Sequence, residues 1–525
     1  MAASSLTHPP DNNTPRRAYV LAAGALIALV LTIALFWWSE IPLGVEGEWT
    51  WDRLAQRSLS TADLVSSCVI CGVVTAFYVF VVAVGLRRLE HASTTTVFFR
   101  LSGICLAGFI WLNSVQRCGP PEYVDAKAMW VLYDPSSSGY FFEACYQIPN
   151  TSEFIAGYEQ KMSEGDVLHV GTHPPGLFLL HKLLLQLCQR SESVTNFSLW
   201  SLPVEYQQAF QLVERTARIH TSPLNRSQRA ALWIAVQWTQ ACAVMALLPI
   251  YLLLRTNYCR QTSLLTAAIW PLTPALAVFL PKSDTIYPLI GTTFLVCWIA
   301  AQRRSNPLWA IAAGLVALGG LTLSLAILPL ILVAGLIAVW QIRTDSQNTP
   351  EQSPLSAVLV KQLRRVGWAA VGFGIPLLAL QFFANLNLIS IWSWNYQNHA
   401  AFYEVYDRTY WRWLWINPWE TAVGIGLPVT WLIMCSIREL PGRSRSTECL
   451  IWWSVWSLLW LSGKTMGEAA RLWLVMFPGA LWMAAPAIQQ ESTHMRKLGL
   501  WVLVIQASCT LATVTGMSGF HFPGL

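Results

Sequence analysis

The amino-acid sequence predicts an all-α, polytopic membrane protein with about 13 transmembrane helices. Hydrophobic residues make up 54% of the 525 residues and charged residues only 12%, whereas charged residues make up about 25% of an ordinary soluble protein. The chain also contains 28 tryptophans, a residue type that is enriched where helices cross membrane–water interfaces. The net charge of +6 comes without a cluster of basic and aromatic residues, which argues against binding to nucleic acid and favours a lipid bilayer as the partner.

Long apolar segments mark the transmembrane helices, because a helix needs about 20 predominantly apolar residues to cross a bilayer. Segments that approach this length lie at roughly 18–38, 62–86, 97–115, 231–254, 263–281, 286–301, 307–323, 325–341, 367–385, 421–437, 449–463, 472–487 and 498–517.

The basic residues orient these segments, since cytoplasmic loops carry an excess of Lys and Arg. The N terminus is placed in the cytoplasm, so that every loop on that side contains at least two basic residues. These are Arg87 and Arg88; Arg255 and Arg260; Arg303 and Arg304; Arg343, Lys361, Arg364 and Arg365; Arg438, Arg443 and Arg445; and Arg496 and Lys497. We therefore expect a multi-pass protein of the plasma (inner) membrane with a cytoplasmic N terminus.

The segment "THPPGLFLLHKLLLQLC", residues 172–188, is apolar but cannot be a further span without reversing this alternation. It is short, and His181 and Lys182 lie in its middle, which suits a helix that lies along the membrane surface. Residues 116–230 then form one long extracytoplasmic loop with interfacial helices. The segments 386–420 and 463–473 face the same side.

The unusual ionisable residues all fall on this extracytoplasmic face. Charged groups at membrane depth are costly and usually functional, so we expect them to share one cleft. The candidate catalytic and binding residues are Asp134, Glu143, His169, His173, Lys282, Asp284, His399, Lys464 and Arg471. A carboxylate there can take a proton from an acceptor hydroxyl, and Lys and Arg can stabilise a departing phosphate. This combination suits transfer of a sugar from a polyprenyl phosphate.

The order of the motifs resembles the GT-C superfamily of integral-membrane glycosyltransferases. A long outer loop carries Asp134 and "GYFFEA", and "HPPG" at 173–176 then opens an apolar helix. The pattern is most similar to the branch of dolichyl-phosphate-mannose protein mannosyltransferases and lipid A aminoarabinose transferases. This implies a GT-C-like core over residues 97–420 with its catalytic loop at 116–230. A cytoplasmic tail and two extra helices (1–96) would precede the core, and transmembrane helices (421–525) would follow it.

The resemblance also implies roles for individual residues. Asp134 corresponds to a catalytic aspartate that acts as general base, and Asp284 to an aspartate at the outer end of a later helix. Arg471, with Lys282 or Lys464, would hold the phosphate of a polyprenyl-phosphate-linked sugar donor. The other residues expected to bind substrate are His169, His173 and His399. No cofactor is implied, while the acceptor and the participation of a divalent cation stay open.

The sequence departs from the family pattern at several positions. Pro135 follows Asp134 where the family has a second acid, and Glu143 is the next acid, so it is the alternative base. Asp-Pro-Ser is also an ordinary turn signal. The second motif ends in Gly176 instead of leucine. His169 and His173 have the spacing of a metal-binding pair, but the prolines argue against a continuous helix there, and we predict no metal site.

Two other classes of function remain open. A transporter or flippase of a lipid-linked or small polar substrate would also need many spans and buried charge, although such proteins often contain inverted repeats and place their site at the midplane. A non-catalytic GT-C-like subunit is the other alternative, because the acidic pair is split. Cys118 and Cys145 lie in the same polar loop and could pair if that loop is extracytoplasmic.

Overall fold

The computed structural model describes residues 14–54, 60–216, 223–304, 306–348, 355–437, 446–489 and 493–520. Within these ranges the chain is almost entirely helical, and its four strands have two residues each. The predicted all-α class is therefore confirmed.

The helices and short strands follow one another in four parts of the chain. The N-terminal part contains α1 (Thr14–Ile33), β1 (Gly44–Val45), β2 (Trp49–Thr50), β3 (Asp52–Arg53), α2 (Thr61–Leu86) and α3 (Thr94–Val115). The next part contains α4 (Pro121–Tyr133), α5 (Tyr140–Tyr146), α6 (Thr151–Ala156), α7 (Tyr158–Ser163), α8 (Gly176–Arg190), α9 (Glu192–Ser201) and α10 (Val204–Thr216). The apolar middle contains α11 (Arg226–Met245), α12 (Leu247–Leu254), α13 (Arg260–Ala267), α14 (Pro274–Phe279), α15 (Tyr287–Arg303), α16 (Leu308–Leu321), α17 (Leu328–Asn348) and α18 (Leu355–Ala384). The last part contains α19 (Leu388–Val405), α20 (Tyr410–Ile425), α21 (Leu427–Ile437), α22 (Ser446–Leu461), α23 (Ala469–Leu472), α24 (Phe477–Ala484), α25 (Thr493–Gly516) and β4 (Met517–Ser518).

Nine helices in the described parts of the chain are long and apolar enough to cross a membrane. They are Arg16–Trp38, Thr61–Leu86, Thr94–Val115, Arg226–Leu254, Arg260–Phe279, Ser283–Arg303, Leu325–Ser346, Leu355–Ala384 and His494–Gly516. The other predicted spans fall on α16, on the pair α20 and α21, on α22, and on the apolar helix Leu474–Ile488, which are too short or too bent to meet the same standard. A multi-pass protein is therefore supported, but 13 spans are not confirmed.

The helices α20 and α21 meet at a bend of 106°. Gly426 forms the corner with a φ of +103°, a backbone conformation that residues with a Cβ rarely adopt. The side chain of Gln506 in α25 donates from Nε2 to the carbonyl oxygen of Ile425 at 2.8 Å. This contact satisfies a backbone acceptor at the helix end, so a side chain far along the sequence stabilises the bend.

The predicted interfacial segment forms α8, a helix of 15 residues. The two titratable groups in its middle face the protein: His181 is buried, and Lys182 Nζ donates to the carbonyl oxygen of Ala144 at 3.2 Å. The described residues between 116 and 216 form helices that pack against neighbouring helices, and α4, α8 and α9 also pack against α11. The position of α8 along a membrane surface stays a prediction. Cys118 and Cys145 are both free, so no disulfide joins them.

The N-terminal and C-terminal parts of the chain pack closely together. Helix α1 contacts α21 and α25, and strand β3 pairs with β4 near the end of the chain. A continuous core of buried apolar side chains extends from Leu21 to Phe520. The strands β1 and β2 form a small hairpin that contacts α20, and α20 in turn packs against α23, which carries Arg471. The division at residues 96 and 420 stays a prediction.

Candidate functional site

A cavity of about 300 Å³ is lined by most of the polar residues predicted to form a site. The predicted residues in its wall are His169, His173, Lys282, Asp284, His399, Lys464 and Arg471. They come from four separate parts of the chain: the loop before α8, the turn between α14 and α15, helix α19, and the segment from α22 to α23. The cavity wall also includes Tyr140 and Asn395, which the sequence analysis did not single out.

The loop that carries the two cavity histidines is held from both sides. Asp166 accepts hydrogen bonds from the backbone N–H groups of Val170 and Gly171, each at 3.0 Å. On the other side, Asn395 and Asn398 of α19 both donate from Nδ2 to the carbonyl oxygen of Gly171 at 2.9 Å. Polar residues in helix α19 thus fix a distant loop.

His169 and His173 are neutral groups in this wall. Burial first, and then the charge of Lys282, hold the pKa of His169 well below its usual value. The same two causes lower the pKa of His173 to about 3. The Nδ1 atom of His173 lies 3.1 Å from the carbonyl oxygen of His169 and 3.0 Å from Oγ1 of Thr172. Both imidazoles therefore act at neutral pH as hydrogen-bonding groups without a charge.

Lys282 is a buried cation, with 3% of its surface exposed. Its Nζ donates to the carbonyl oxygen of Ser137 and lies 3.4 Å from Nε2 of His169. Burial, followed by repulsion from Arg471, lowers the pKa of Lys282 to about 7. A group with this pKa can gain its proton and charge when an anion enters the cavity.

Arg471 is the second buried cation, and it lies between two carboxylates. Its Nη2 donates to Oε2 of Glu468 at 2.8 Å, and its Nε lies 3.7 Å from Oδ2 of Asp284. Burial lowers the pKa of Arg471, but Glu468 and then Asp284 raise it, and the net shift is upward. Glu468 itself adopts a positive φ of +53°, a strained backbone that tends to occur at functional sites.

Lys464 and His399 lie on the rim of the cavity. The Nζ atom of Lys464 is 4.4 Å from the centre of the Tyr396 ring, within the range of a cation–π contact. Burial, and then the charge of Lys464, lowers the pKa of His399. Tyr403 donates from its hydroxyl to the carbonyl oxygen of Lys464 at 3.0 Å, which ties this rim to helix α19.

Asp134 and Glu143, the two predicted bases, do not line this cavity. Asp134 is buried at the end of α4, and its Oδ1 accepts from the backbone N–H of Ser136 at 2.8 Å and from Oγ of Ser136 at 2.5 Å. The carboxylate thus shapes the turn that presents the Ser137 carbonyl to Lys282. Glu143 forms an ion pair with Lys161. The assignment of either residue as the base stays a prediction.

Gly176, where the sequence departs from the family motif, lies at a close contact between two backbone segments. Its N–H donates to the carbonyl oxygen of Thr322 at 2.9 Å, and a Cβ at this position would lie 2.4 Å from that oxygen. Any side chain would therefore separate the start of α8 from the end of α16. Close packing between these two backbone segments therefore explains the glycine at position 176, which the sequence alone did not.

Replacing Gly176 by alanine should destabilise the fold by about 1–3 kcal/mol, the range measured for overpacked sites. Gly72→Ala in α2 is the control, because a Cβ built there lies more than 4 Å from any atom outside its own stretch of helix. Thermal unfolding of both variants in the same detergent measures the difference. Equal melting temperatures for the two variants would contradict the contact with Thr322.

The described residues contain no group of three or more His, Cys, Asp or Glu side chains that could hold a metal ion. The polar side chains of the cavity wall include two buried cations, the carboxylate of Asp284, imidazoles and the amide of Asn395, and the carboxylate of Glu468 lies beside Arg471. Neither models of known protein families nor curated proteins match the chain.

Proposed function

We infer that this protein is a membrane glycosyltransferase of the GT-C type, which transfers a sugar from a polyprenyl-phosphate-linked donor to an acceptor on the extracytoplasmic face. The observation that carries the proposal is the convergence of His169, His173, Lys282 and Arg471 on one cavity. The histidines, the lysine and the arginine lie far apart in a chain with few charges. Burial of a cation such as Lys282 is costly, and an anionic ligand offsets that cost.

In this proposal Lys282 and Arg471, which line the same cavity, bind the phosphate of the donor. Both side chains are more than nine-tenths buried, and electrostatic attraction is stronger in a cavity of low dielectric constant than in water. The guanidinium can contact phosphate oxygens through two N–H groups, whereas the lysine supplies a single point charge. Neutral His173 already donates its one ring N–H to the carbonyl oxygen of His169, so its other ring nitrogen can accept a hydrogen bond from a sugar hydroxyl.

The proposed reaction is a displacement at the anomeric carbon of the donor sugar. A bond forms between the acceptor oxygen and the anomeric carbon, while the bond from that carbon to the phosphate oxygen breaks. The proton of the acceptor hydroxyl passes to a carboxylate. The phosphate leaves as a monoester with an additional negative charge, which Lys282 and Arg471 stabilise.

Asp284 is the carboxylate best placed to receive this proton, because it lines the cavity beside Arg471. Asp284→Asn should reduce transfer by about 100-fold or more, as expected when a general base is removed, while donor binding persists. Asp134→Asn should retain most of the activity, since asparagine keeps the side-chain oxygen that bonds Ser136. Steady-state transfer rates of both variants test this assignment. The opposite pattern would return the role of base to Asp134.

The function itself is tested with the wild-type protein in nanodiscs. A panel of polyprenyl-phosphate sugars is supplied together with an extract of membrane lipids and proteins as acceptors. Release of the polyprenyl phosphate is followed by mass spectrometry, with boiled protein and empty nanodiscs as controls. Sugar release that depends on the protein supports the proposal. Binding of these donors without any turnover would instead favour a non-catalytic subunit, and no binding of any of them would favour a transporter of another substrate.

A further inference from the structure

A buried carboxylate links the N-terminal hairpin to the segment that carries Arg471. Glu420 lies in α20 and has no exposed surface. Its Oε1 accepts a hydrogen bond from Nε1 of Trp51 at 2.9 Å, and Trp51 directly follows the hairpin formed by β1 and β2. Trp51 is buried as well, so water does not compete for this contact.

The other oxygen of Glu420 contacts the start of α23. Oε2 accepts from the backbone N–H of Ala469 at 2.7 Å, and Ala469 is the first residue of that helix. N–H groups in the first turn of a helix have no acceptor within the helix. Glu420 therefore provides an acceptor from another part of the chain, only two residues before Arg471.

A second residue of α20 reinforces the same contact. Asn417 lies almost one helical turn before Glu420, and its Nδ2 donates to the carbonyl oxygen of Thr465 at 2.6 Å. Its Oδ1 accepts from the N–H of Gly467 at 3.4 Å. Helix α20 thus holds the segment 465–469 at three backbone groups. Because α23 has only four residues, it depends on such contacts for its position.

We propose that Glu420, held by Trp51, is a positioning residue that sets the place of Arg471 in the cavity. Its effect on phosphate binding rests on the proposed function, whereas its effect on the position of α23 does not. Glu420 lies in α20 and does not touch the cavity. It acts through the backbone of α23, and the N-terminal hairpin contributes to the site through Trp51.

The chain contains a matched control for this proposal. Glu48 in the hairpin also accepts one indole N–H and one backbone N–H, from Trp413 at 2.6 Å and from Thr409 at 2.9 Å. These two contacts join the same hairpin to the same helix, but at the other end of α20. Both of these bonds end on one oxygen, Oε2. Glu48→Gln keeps an oxygen that can accept both N–H groups and removes the charge that faces Arg412 at 3.9 Å, so it should leave the backbone of α23 in place.

The experiment uses the full chain in nanodiscs and two measurements. Hydrogen exchange followed by mass spectrometry reports the protection of the peptide that contains residues 465–473. Isothermal titration with farnesyl phosphate reports binding of a prenyl phosphate at one pH. Trp51→Phe is a second, milder variant, because it removes only the indole donor and leaves the carboxylate in place.

Glu420→Gln should speed hydrogen exchange in 465–473 and weaken farnesyl phosphate binding by about tenfold, because the amide keeps only one of the two acceptor oxygens and leaves one buried N–H unpaired. Trp51→Phe should have a smaller effect in the same direction, and Glu48→Gln should alter neither quantity. Similar exchange in 465–473 for Glu420→Gln and Glu48→Gln would overturn the positioning role. If the wild type does not bind farnesyl phosphate, that result counts against the proposed function. The positioning role of Glu420 is then decided by hydrogen exchange in residues 465–473 alone.

Discussion

Arg471→Gln should weaken binding of a polyprenyl-phosphate sugar by about 100-fold. Loss of one partner in a buried, hydrogen-bonded charge pair costs about 2–5 kcal/mol, and about 1.4 kcal/mol corresponds to a factor of ten. Arg471 is 8% exposed, so water cannot replace the guanidinium effectively. Titration of wild type and variant with the same donor in nanodiscs measures the change.

The single variant also leaves Glu468 and Asp284 without their cation, which by itself destabilises the fold. A double variant, Arg471→Gln with Glu468→Gln, removes one charge of each sign and should regain much of the stability. Its affinity for the donor should remain low, because the phosphate still lacks its cation. If the double variant regained full affinity, Arg471 would be a structural partner of Glu468 and not a ligand of the phosphate.

Donor affinity should decrease as the pH rises above about 7, because Lys282 loses its proton in that range. Its pKa is lowered to about 7, first by burial and then by Arg471, although Asp284 and Glu468 oppose this shift. Below this pH the ammonium is charged and attracts the phosphate. Above this pH Lys282 is neutral in the free protein and must take up a proton when the donor binds. The donor affinity therefore decreases by up to about tenfold per pH unit.

The phosphodiester of the donor keeps one negative charge over this range, so its own titration does not contribute. The lowered pKa values of His169 and His173 keep both imidazoles neutral from about pH 6 to about pH 9. Affinities measured across that range in wild type and in Lys282→Arg test the prediction. In Lys282→Arg the donor affinity should not change with pH over this range, because a guanidinium stays charged.

Lys464→Arg is the control for the pH experiment, since Lys464 lies exposed on the rim. It should leave the pH dependence of the wild type unchanged. If donor affinity still decreased with pH in Lys282→Arg but no longer did so in Lys464→Arg, the group responsible would lie on the rim of the cavity and not at Lys282. Both variants carry the same chemical change, so the comparison isolates the position of the titrating group.

The sequence was sufficient to predict the membrane class and the approximate positions of the helices. Each span carries its own apolar composition, so it can be recognised without knowing its neighbours. The sequence also grouped His169, His173, Lys282 and Arg471 on one face, because alternation of the loops assigns a side to each segment. These four residues line a single cavity, whereas Asp134 and Glu143, which were predicted to share it, do not line it.

Other features depended on contacts between distant segments, and the sequence could not reveal them. Asp134 and Asp284 are both aspartates in predicted outer segments, and only the packing reveals that the first bonds Ser136 while the second lines the cavity. Glu420 directly precedes an apolar stretch that predicts a span, and only the fold gives it Ala469 as a partner.

Local composition therefore determined which segments of this protein are helical, apolar and suited to a membrane. Tertiary structure decided which polar side chains meet in the cavity and where the helices bend, as at Gly426, whose corner is stabilised by Gln506 of α25. The physical reason is the distance along the chain over which each interaction acts. Hydrophobic burial of a span depends on its own residues, whereas a hydrogen bond or ion pair requires a second group whose distance is set by the packing of the whole chain.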